Sequence, residues 1–392
     1  MMYAKMLLLG SAALLVSGAA ARSADLPLAE PVEYVRVCDT WGAGFFYIPG
    51  TQTCLQISGY VRADLDYVEP SIRSDDAFSF GGRARLNFDA RSQTEFGTLR
   101  SYLRLQADYQ SEVSDYFVDQ AFVQFAGLTA GRATSFFDFY ANANVFDVIG
   151  GSDTTTSLLG YTATFGTISA SISVEDRSAR EFNPQGTFVF AGQTMPDVVA
   201  NIRIDQAWGA AQLSGAVHQL RDNTIVGGAF IGTDEDYGFA LQAGVNLKLP
   251  MLGESDLLTL QAAYADGALA YLGLYNQFGV VPDEGTIVAG PSFDTSNGFL
   301  VVGEFLHYWT PNLRSVAAAS YAQVDATNTG VTIDDYEEYT VLGSLIWSPV
   351  KDLDLGLEVL YTSADAEIAG VDAFAGSNDD AFKTTFRVQR QF

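Results

Sequence analysis

The stretch QISGYVRADLDY, residues 56–67, puts Ile57, Gly59, Val61, Ala63, Leu65 and Tyr67 on one side of a strand and Gln56, Ser58, Tyr60, Arg62, Asp64 and Asp66 on the other. Side chains alternate sides along a strand, so this segment has one apolar surface and one polar, charged surface. The pattern returns at residues 82–91, where Ala84, Leu86, Phe88 and Ala90 oppose Arg83, Arg85, Asn87, Asp89 and Arg91. It returns again at residues 99–110, where Leu103, Leu105, Ala107 and Tyr109 oppose Arg100, Tyr102, Arg104, Gln106 and Asp108. A soluble sandwich also alternates, so two further features decide. Aromatic residues gather at segment ends (Tyr109, Phe117, Phe125, Tyr308, Trp309, Trp347, Tyr361), as interfacial girdles require. Tight turns such as TEFGT, FAGLT, TFGT and QAWGA alternate with longer polar loops.

The pattern predicts an all-β fold, a transmembrane antiparallel β-barrel of about sixteen strands over residues 55–392, with short periplasmic turns and long extracellular loops. Strands are expected to begin near Leu55, Phe78, Leu99, Val118, Thr129, Leu158, Ile168, Val198, Ala211, Tyr237, Leu257, Gly298, Leu313, Glu338, Leu353 and Ala381. A barrel of that size leaves an aqueous channel. The last segment, AFKTTFRVQRQF, stops within a strand at Phe392, which suits closure against the first strand and marks Phe392 as a C-terminal assembly signal.

The N-terminus reads as an export signal. Lys5 precedes the apolar run Met6–Val16, too short to span a bilayer as a helix, and small residues follow. Residues 1–24 are therefore expected to be a signal peptide cut after Ala21 or Ala24, directing the chain to the bacterial outer membrane. Residues 25–54 hold Pro27, Pro31, Pro49 and the chain's two cysteines, Cys38 and Cys54. In an exported chain these are read as a disulfide closing a short segment. Two cysteines without a neighbouring histidine make a poor metal site, and neither a metal nor a cofactor is expected. The segment's place, at the periplasmic rim or in the lumen, is left open.

Charged residues are 17% of the chain against about 25% in soluble domains, while 48% are hydrophobic and 13% aromatic. The net charge of −26 argues against a nucleic-acid partner. Much of the acid falls in loops: Asp75-Asp76, Asp234-Glu235-Asp236, Asp283-Glu284, Asp334-Asp335 with Glu337-Glu338, and Asp379-Asp380. These suit a cation-concentrating vestibule, divalent bridges to lipopolysaccharide, or simply solvated loops.

The stretch EYVRVCDTWGAGFFYIPGTQTCLQISGYVRAD, residues 33–64, with FGGRARLNFDARSQTEFGTLRSYLRL, residues 80–105, and the terminal Phe, resembles the porins of alphaproteobacteria of the rhizobial and Brucella type. The resemblance implies a sixteen-stranded homotrimer whose third external loop folds inward and narrows a general diffusion channel for small hydrophilic solutes and ions. Short outward side chains such as Gly59 and Ala84 would permit close subunit packing.

Function then belongs to the lumen. Eight arginines fall between Arg62 and Arg132, and Arg62, Arg83, Arg85, Arg100 and Arg104 share the polar faces of neighbouring strands. Strands about 4.8 Å apart would make them one basic wall. The segment SFFDFYANANVFDVIGGSDTTTS, residues 135–157, supplies Asp138, Asp147 and Asp153 opposite, with Gly150 and Gly151 for tight bends. A basic wall facing an acidic loop sets a transverse field that favours polar solutes. The competing reading pairs the arginines with Asp64, Asp66, Asp89 and Asp108 along the wall. A substrate-specific channel, for oligosaccharides for instance, would need an inward aromatic track; Tyr60 and Tyr102 face inward but no consecutive track is visible. No catalytic residue is expected. Only His218 and His307 exist, the first read as lumen lining and the second as interfacial, and Ser214 lies too far from His218 along its strand to pair.

Overall fold

A computed structural model describes residues 36–70, 76–111, 113–139, 142–223, 225–226, 229–230, 235–288, 292–327, 332–374 and 379–392. The expected signal peptide, residues 25–35, Asp75 and Asp234 lie outside the described residues.

Sixteen antiparallel strands close into one barrel. They are β1 (Cys54–Val68), β2 (Phe78–Thr94), β3 (Gly97–Gln110), β4 (Val113–Phe125), β5 (Leu128–Thr134), β6 (Thr155–Phe165), β7 (Ile168–Glu175) and β8 (Asp197–Gln206). The second half comprises β9 (Gly209–Leu220), β10 (Asp236–Lys248), β11 (Leu257–Asp266), β12 (Asn297–Thr310), β13 (Leu313–Asp325), β14 (Asp335–Val350), β15 (Leu353–Ile368) and β16 (Asp380–Gln391). Each strand pairs with its chain neighbour, and β16 returns to β1 in a register running from Tyr60 opposite Gln391 to Val68 opposite Lys383.

Phe392 completes the seam. Its N–H donates to the Gly59 carbonyl at 3.0 Å and its carbonyl accepts from the Gly59 N–H at 2.9 Å. A Cβ at residue 59 would overlap the Arg85 carbonyl of β2 and lie 3.0 Å from the Phe392 ring, so only glycine fits between the neighbouring strand and the terminal ring. Gly59 is thus covered within its own chain rather than open for subunit packing.

Alternation assigns the two faces. Val61, Phe80, Leu86, Leu105, Leu241, Val341 and Leu357 are exposed on the outside. Outward rings pair across strands near the loop end, as in Phe239–Tyr264, Phe299–Tyr321 and Tyr339–Tyr361, with centroids 5.8–6.0 Å apart. Trp208, Trp309 and Trp347 ring the turn end. This is the two-girdle surface of a barrel in lipid.

Strand β4 begins at Val113, not near Val118. The β3–β4 connection is therefore only two residues, which breaks the strict alternation of short and long connections. A bulge at Asp119 shifts the β4 register, so Phe117 lies opposite inward-facing Gln106 and Tyr116 takes the outward place expected for Phe117. Tyr308 likewise pairs with Arg314, which lines the lumen, and leaves the outer girdle to Trp309.

Cys38 and Cys54 form the disulfide, with Cα atoms 6.0 Å apart. The segment it closes pairs Phe46–Tyr47 with the start of β1. Its Ala43 carbonyl accepts from inward Gln56 at 3.3 Å, and Arg91 lies over Trp41 and Phe45. It therefore sits against the inner wall at the turn end of β1 and β2.

Candidate functional site

The inward faces of β1–β4 bring the five expected arginines together, but each has a partner on the same wall. Arg83 is bidentate to Asp108 at 2.5 and 2.9 Å. Arg85 donates to Gln106 at 2.6 and 3.0 Å. Arg100 is bidentate to Asp89, which also receives Arg91. Arg104 reaches Asp119 at 3.3 Å, and Arg62 approaches Asp64 at 3.3 Å. The wall is a ladder of ion pairs in water, half-buried and hydrogen-bonded, rather than a bare basic surface.

Closure adds residues that the strand-by-strand reading missed. Because β16 lies beside β1, Arg387 joins Asp64 at 2.7 and 3.0 Å, and Lys383 stands 3.9 Å from Asp66. Both belong to the wall, and the polar face of the last strand was the available signal. Asp119 was missed because the bulge that turns it inward leaves no trace in the period.

The described residues of the loop 135–154, third on the loop side, lie inside the barrel. The loop's fastenings run round the wall from β6 to β16. The Phe136 N–H donates to Glu175 of β7 at 3.0 Å, and Asn201 of β8 donates to the Phe136 carbonyl at 2.6 Å. Gln212 of β9 and Gln242 of β10 donate to the carbonyls of Asp138 and Phe137 at 2.9 and 2.7 Å. Asn144 donates to Glu304 of β12 at 2.5 Å. Glu358 of β15 accepts the N–H groups of Phe146 and Asp147 at 2.8 and 2.7 Å. Three loop rings also fill places where the wall has no side chain: a Cβ at Gly160, Gly244 or Gly356 would overlap Phe136, Phe139 or Phe146.

The three loop carboxylates have different roles. Asp138 is buried, accepts the Thr154 N–H at 2.6 Å and the Ser152 hydroxyl, and pairs with Arg180 at 3.0 Å. It holds the loop's own shape and does not face the arginine wall. Asp147 pairs with Lys383 at 2.7 Å and Thr385 at 3.2 Å, so it meets β16 and not the arginines of β2 and β3. Asp153 alone is exposed and within electrostatic reach of Arg85 and Arg104. Although its side chain is open to the lumen, the surrounding barrel and loop reduce its hydration, and this is the first cause that holds its carboxyl above the ordinary aspartate range. Repulsion from Asp138 and Asp119 adds to this, and Arg85 and Arg104 oppose it.

A second inward segment, residues 267–284, has no counterpart in the sequence reading. Leu269, Tyr271, Leu272 and Val281 are fully buried with Phe137 and Ile149 of the first loop. Gly151 donates to the Gly273 carbonyl at 2.9 Å. Arg180, from residues 176–196, lies 4.2 Å over the Tyr271 ring. His218 is buried between Asp197 at 2.9 Å and Glu284 at 3.3 Å, so it locks this segment to β8 and β9 instead of lining open lumen. His307 stays at the turn end, paired with Asp256 at 2.6 Å beside Trp309. The apolar run LAYLGLYNQFGVV, residues 269–281, was the sign that this segment would not be a solvated loop.

With one side of the lumen filled, open space remains against β1–β4 and β16. A recess of about 590 Å³ is lined by Arg62, Asp64, Asp66, Arg83, Asp108 and Lys383. A second, of about 250 Å³, lies between Asn144–Phe146 of the loop and Tyr60, Arg62, Arg314 and Arg387 of the wall. Arg62 lines both. Among the described residues no group of three or more His, Cys, Asp or Glu is arranged to hold a metal ion.

Residues 25–388 match the Porin subfamily. The chain is 32% identical to Porin Omp2b of Brucella canis and of Brucella abortus, with 99% of each chain covered. In fold it is similar to the outer membrane channel DcaP of Acinetobacter baumannii, with TM-score 0.68, 18% identity, and 88% of this chain and 99% of that one covered. It is also similar to the trimer form of OmpT of Vibrio cholerae, with TM-score 0.54, 12% identity, and 87% and 100% covered.

The glycine socket under Phe146 yields a direct test of the loop's seat. Gly356→Val should push the ring and its loop off β15 into the remaining gap. Single-channel conductance in planar bilayers should fall by a factor on the order of two; a conductance equal to that of the unmodified chain would mean that the socket does not set the width.

Proposed function

The chain belongs to the Porin subfamily and is a general diffusion channel of the bacterial outer membrane; on that premise we propose that its selectivity is set in the gap between the β1–β4 wall and the loop of residues 135–154. One observation carries this reading: the loop's hydrogen-bond and ring anchors lie on β6 to β16, leaving the arginine ladder as the free side.

Solutes entering from the loop side meet the recess beside Arg83 and Asp108, then pass Arg62 and Arg387 under Phe146. Fixed ion pairs on the wall, with Asp153 opposite, orient polar solutes and hold ordered water that apolar solutes must displace. Because the arginines share carboxylates, Arg91 and Arg100 on Asp89 and Arg85 and Arg104 on Asp119, the wall has a strong local field with a small positive surplus. Replacing Arg83, Arg85, Arg100 and Arg104 by glutamine leaves those carboxylates unmatched and should shift the reversal potential in a salt gradient towards cations. A reversal potential and conductance both unchanged would remove the wall from the constriction. Liposome swelling rates should fall smoothly with solute size; saturation by a single sugar would favour the substrate-specific alternative.

Asp153 gives the gap a pH response. A carboxyl with a raised pKa gains its proton at higher pH than an ordinary aspartate, which titrates near pH 3.9. As pH falls, the gap should lose this negative charge, and with it cation preference, at a higher pH than an ordinary aspartate would give. Asp153→Asn should abolish that early step, as read from reversal potentials across a pH series.

The homotrimer is part of the same proposal. Arg132 is exposed on the outer face, and its register partner Ala121 lies between Tyr116 and Phe125, near the ends of the apolar band. Among the described residues the one hydrogen-bond partner of its guanidinium is the Asp119 carbonyl, which accepts from Nε at 3.1 Å. An arginine facing lipid at mid-depth costs about 2–4 kcal/mol, so this face is better covered by another subunit. Elsewhere the apolar band meets lipid, and the outward acidic rim of Asp325, Asp335, Glu337, Asp365 and Glu367 meets the lipopolysaccharide headgroup layer. Arg132→Asp should convert trimers in mild detergent to monomers, measured by light scattering; intact trimers would place the interface elsewhere.

A further inference from the structure

Rings and guanidiniums alternate along the turn-side half of the lumen wall. Arg91 lies 5.0 Å over Phe45 and 5.8 Å over Trp41. Arg100 lies 5.0 Å over Tyr102 and 5.4 Å over Phe122, Arg104 lies 5.6 Å over Tyr102, and Arg85 lies 5.1 Å over Tyr60. Tyr102 and Phe122 are register partners whose rings stack at 5.1 Å with planes 26° apart. Phe122 lies beyond the β4 bulge in regular register and shares its face with Gln120 and Gln124, a signal the strand-by-strand reading passed over. Its presence means that the lumen does carry a short aromatic track.

Ion passage has no need of a stacked aromatic pair in water. The stack is half-buried, so part of its surface still faces the lumen. The guanidiniums beside it are not saturated. Arg100 uses three of its five N–H groups, two on Asp89 and one on Gln124. Arg104 also uses three, directed to Asn87 and Tyr102, to Asp119, and to the Tyr102 hydroxyl. Each keeps two N–H groups for a ligand. The local balance is positive: Arg85, Arg91, Arg100 and Arg104 face Asp89, Asp119 and the loop's Asp153, four charges against three.

We propose that Tyr102, Phe122, Arg100 and Arg104 form a docking site for a small aromatic carboxylate. Its ring extends the stack beside Phe122 and its carboxylate takes the spare N–H groups. A flat ring suits the stack and an anion suits the charge. A neutral sugar would use the rings but not the surplus cation. The site rests on the channel reading, since it is reached only through the lumen.

The test uses the full refolded chain in planar bilayers, with benzoate and cyclohexanecarboxylate as probes. They share a charge and nearly a size, but only benzoate has a π face. Potassium chloride conductance is recorded first, and its absence would refute the channel reading itself. Given conductance, benzoate should block the current saturably, at a concentration about fivefold lower than cyclohexanecarboxylate. Phe122→Leu, which keeps an apolar side chain of similar bulk, should bring the ratio of the two blocking concentrations close to one. Equal block by both acids in the unmodified chain would overturn the site without touching the channel, and needs no variant to fold. So would an unchanged ratio in Phe122→Leu, or a neutral maltodextrin that blocks more tightly than benzoate.

Discussion

A peptide group in hydrocarbon has no water to turn to, and each unpaired N–H or C=O there costs several kcal/mol. The sheet must therefore close, and everything inside the barrel inherits that geometry. Closure places β16 beside β1, and so brings Lys383 and Arg387 to Asp66 and Asp64, residues more than three hundred positions away in the chain. It also leaves the interior as the one place where irregular backbone is tolerated. There the carboxylates and amides of the wall, Glu175, Asn201, Gln242 and Glu358, take up the hydrogen bonds of the inserted loop.

Charge inside the lumen is handled in two ways. On the open side, ion pairs stay partly hydrated, and their value lies in the field they hold fixed across the water. On the filled side, Asp138 with Arg180, and His218 with Asp197 and Glu284, are withdrawn from water almost completely. Burial of that kind is weak evidence for stability, but breaking one partner is costly, so such pairs fasten the base of the loop firmly. The same chemistry thus serves as a filter on one side and as a fastening on the other.

How much of this was legible depended on whether a residue obeyed the strand period. Arg83, Arg85, Arg100 and Arg104 were placed from spacing alone because β2 and β3 are regular over their full lengths. Phe117 and Asp119 were misplaced or overlooked because one extra residue in β4 exchanges inside for outside, whereas Phe122 was legible from Gln120 and Gln124 on its face and was passed over. Asp138 was assigned to the wrong surface because its partner, Arg180, comes from a different loop, and loops carry no period. The inward course of residues 267–284 was signalled only by apolar content, which says that a segment will be buried but not against what.

Three loop rings rest where Gly160, Gly244 and Gly356 leave the wall bare. The aperture is therefore recorded in side chains that are missing from strands, not in those present on the loop. Restoring one of them moves the loop at one point while the other two still hold it. A lineage can thus retune pore width in small separate steps, each a single codon, without touching the charged residues that line the gap.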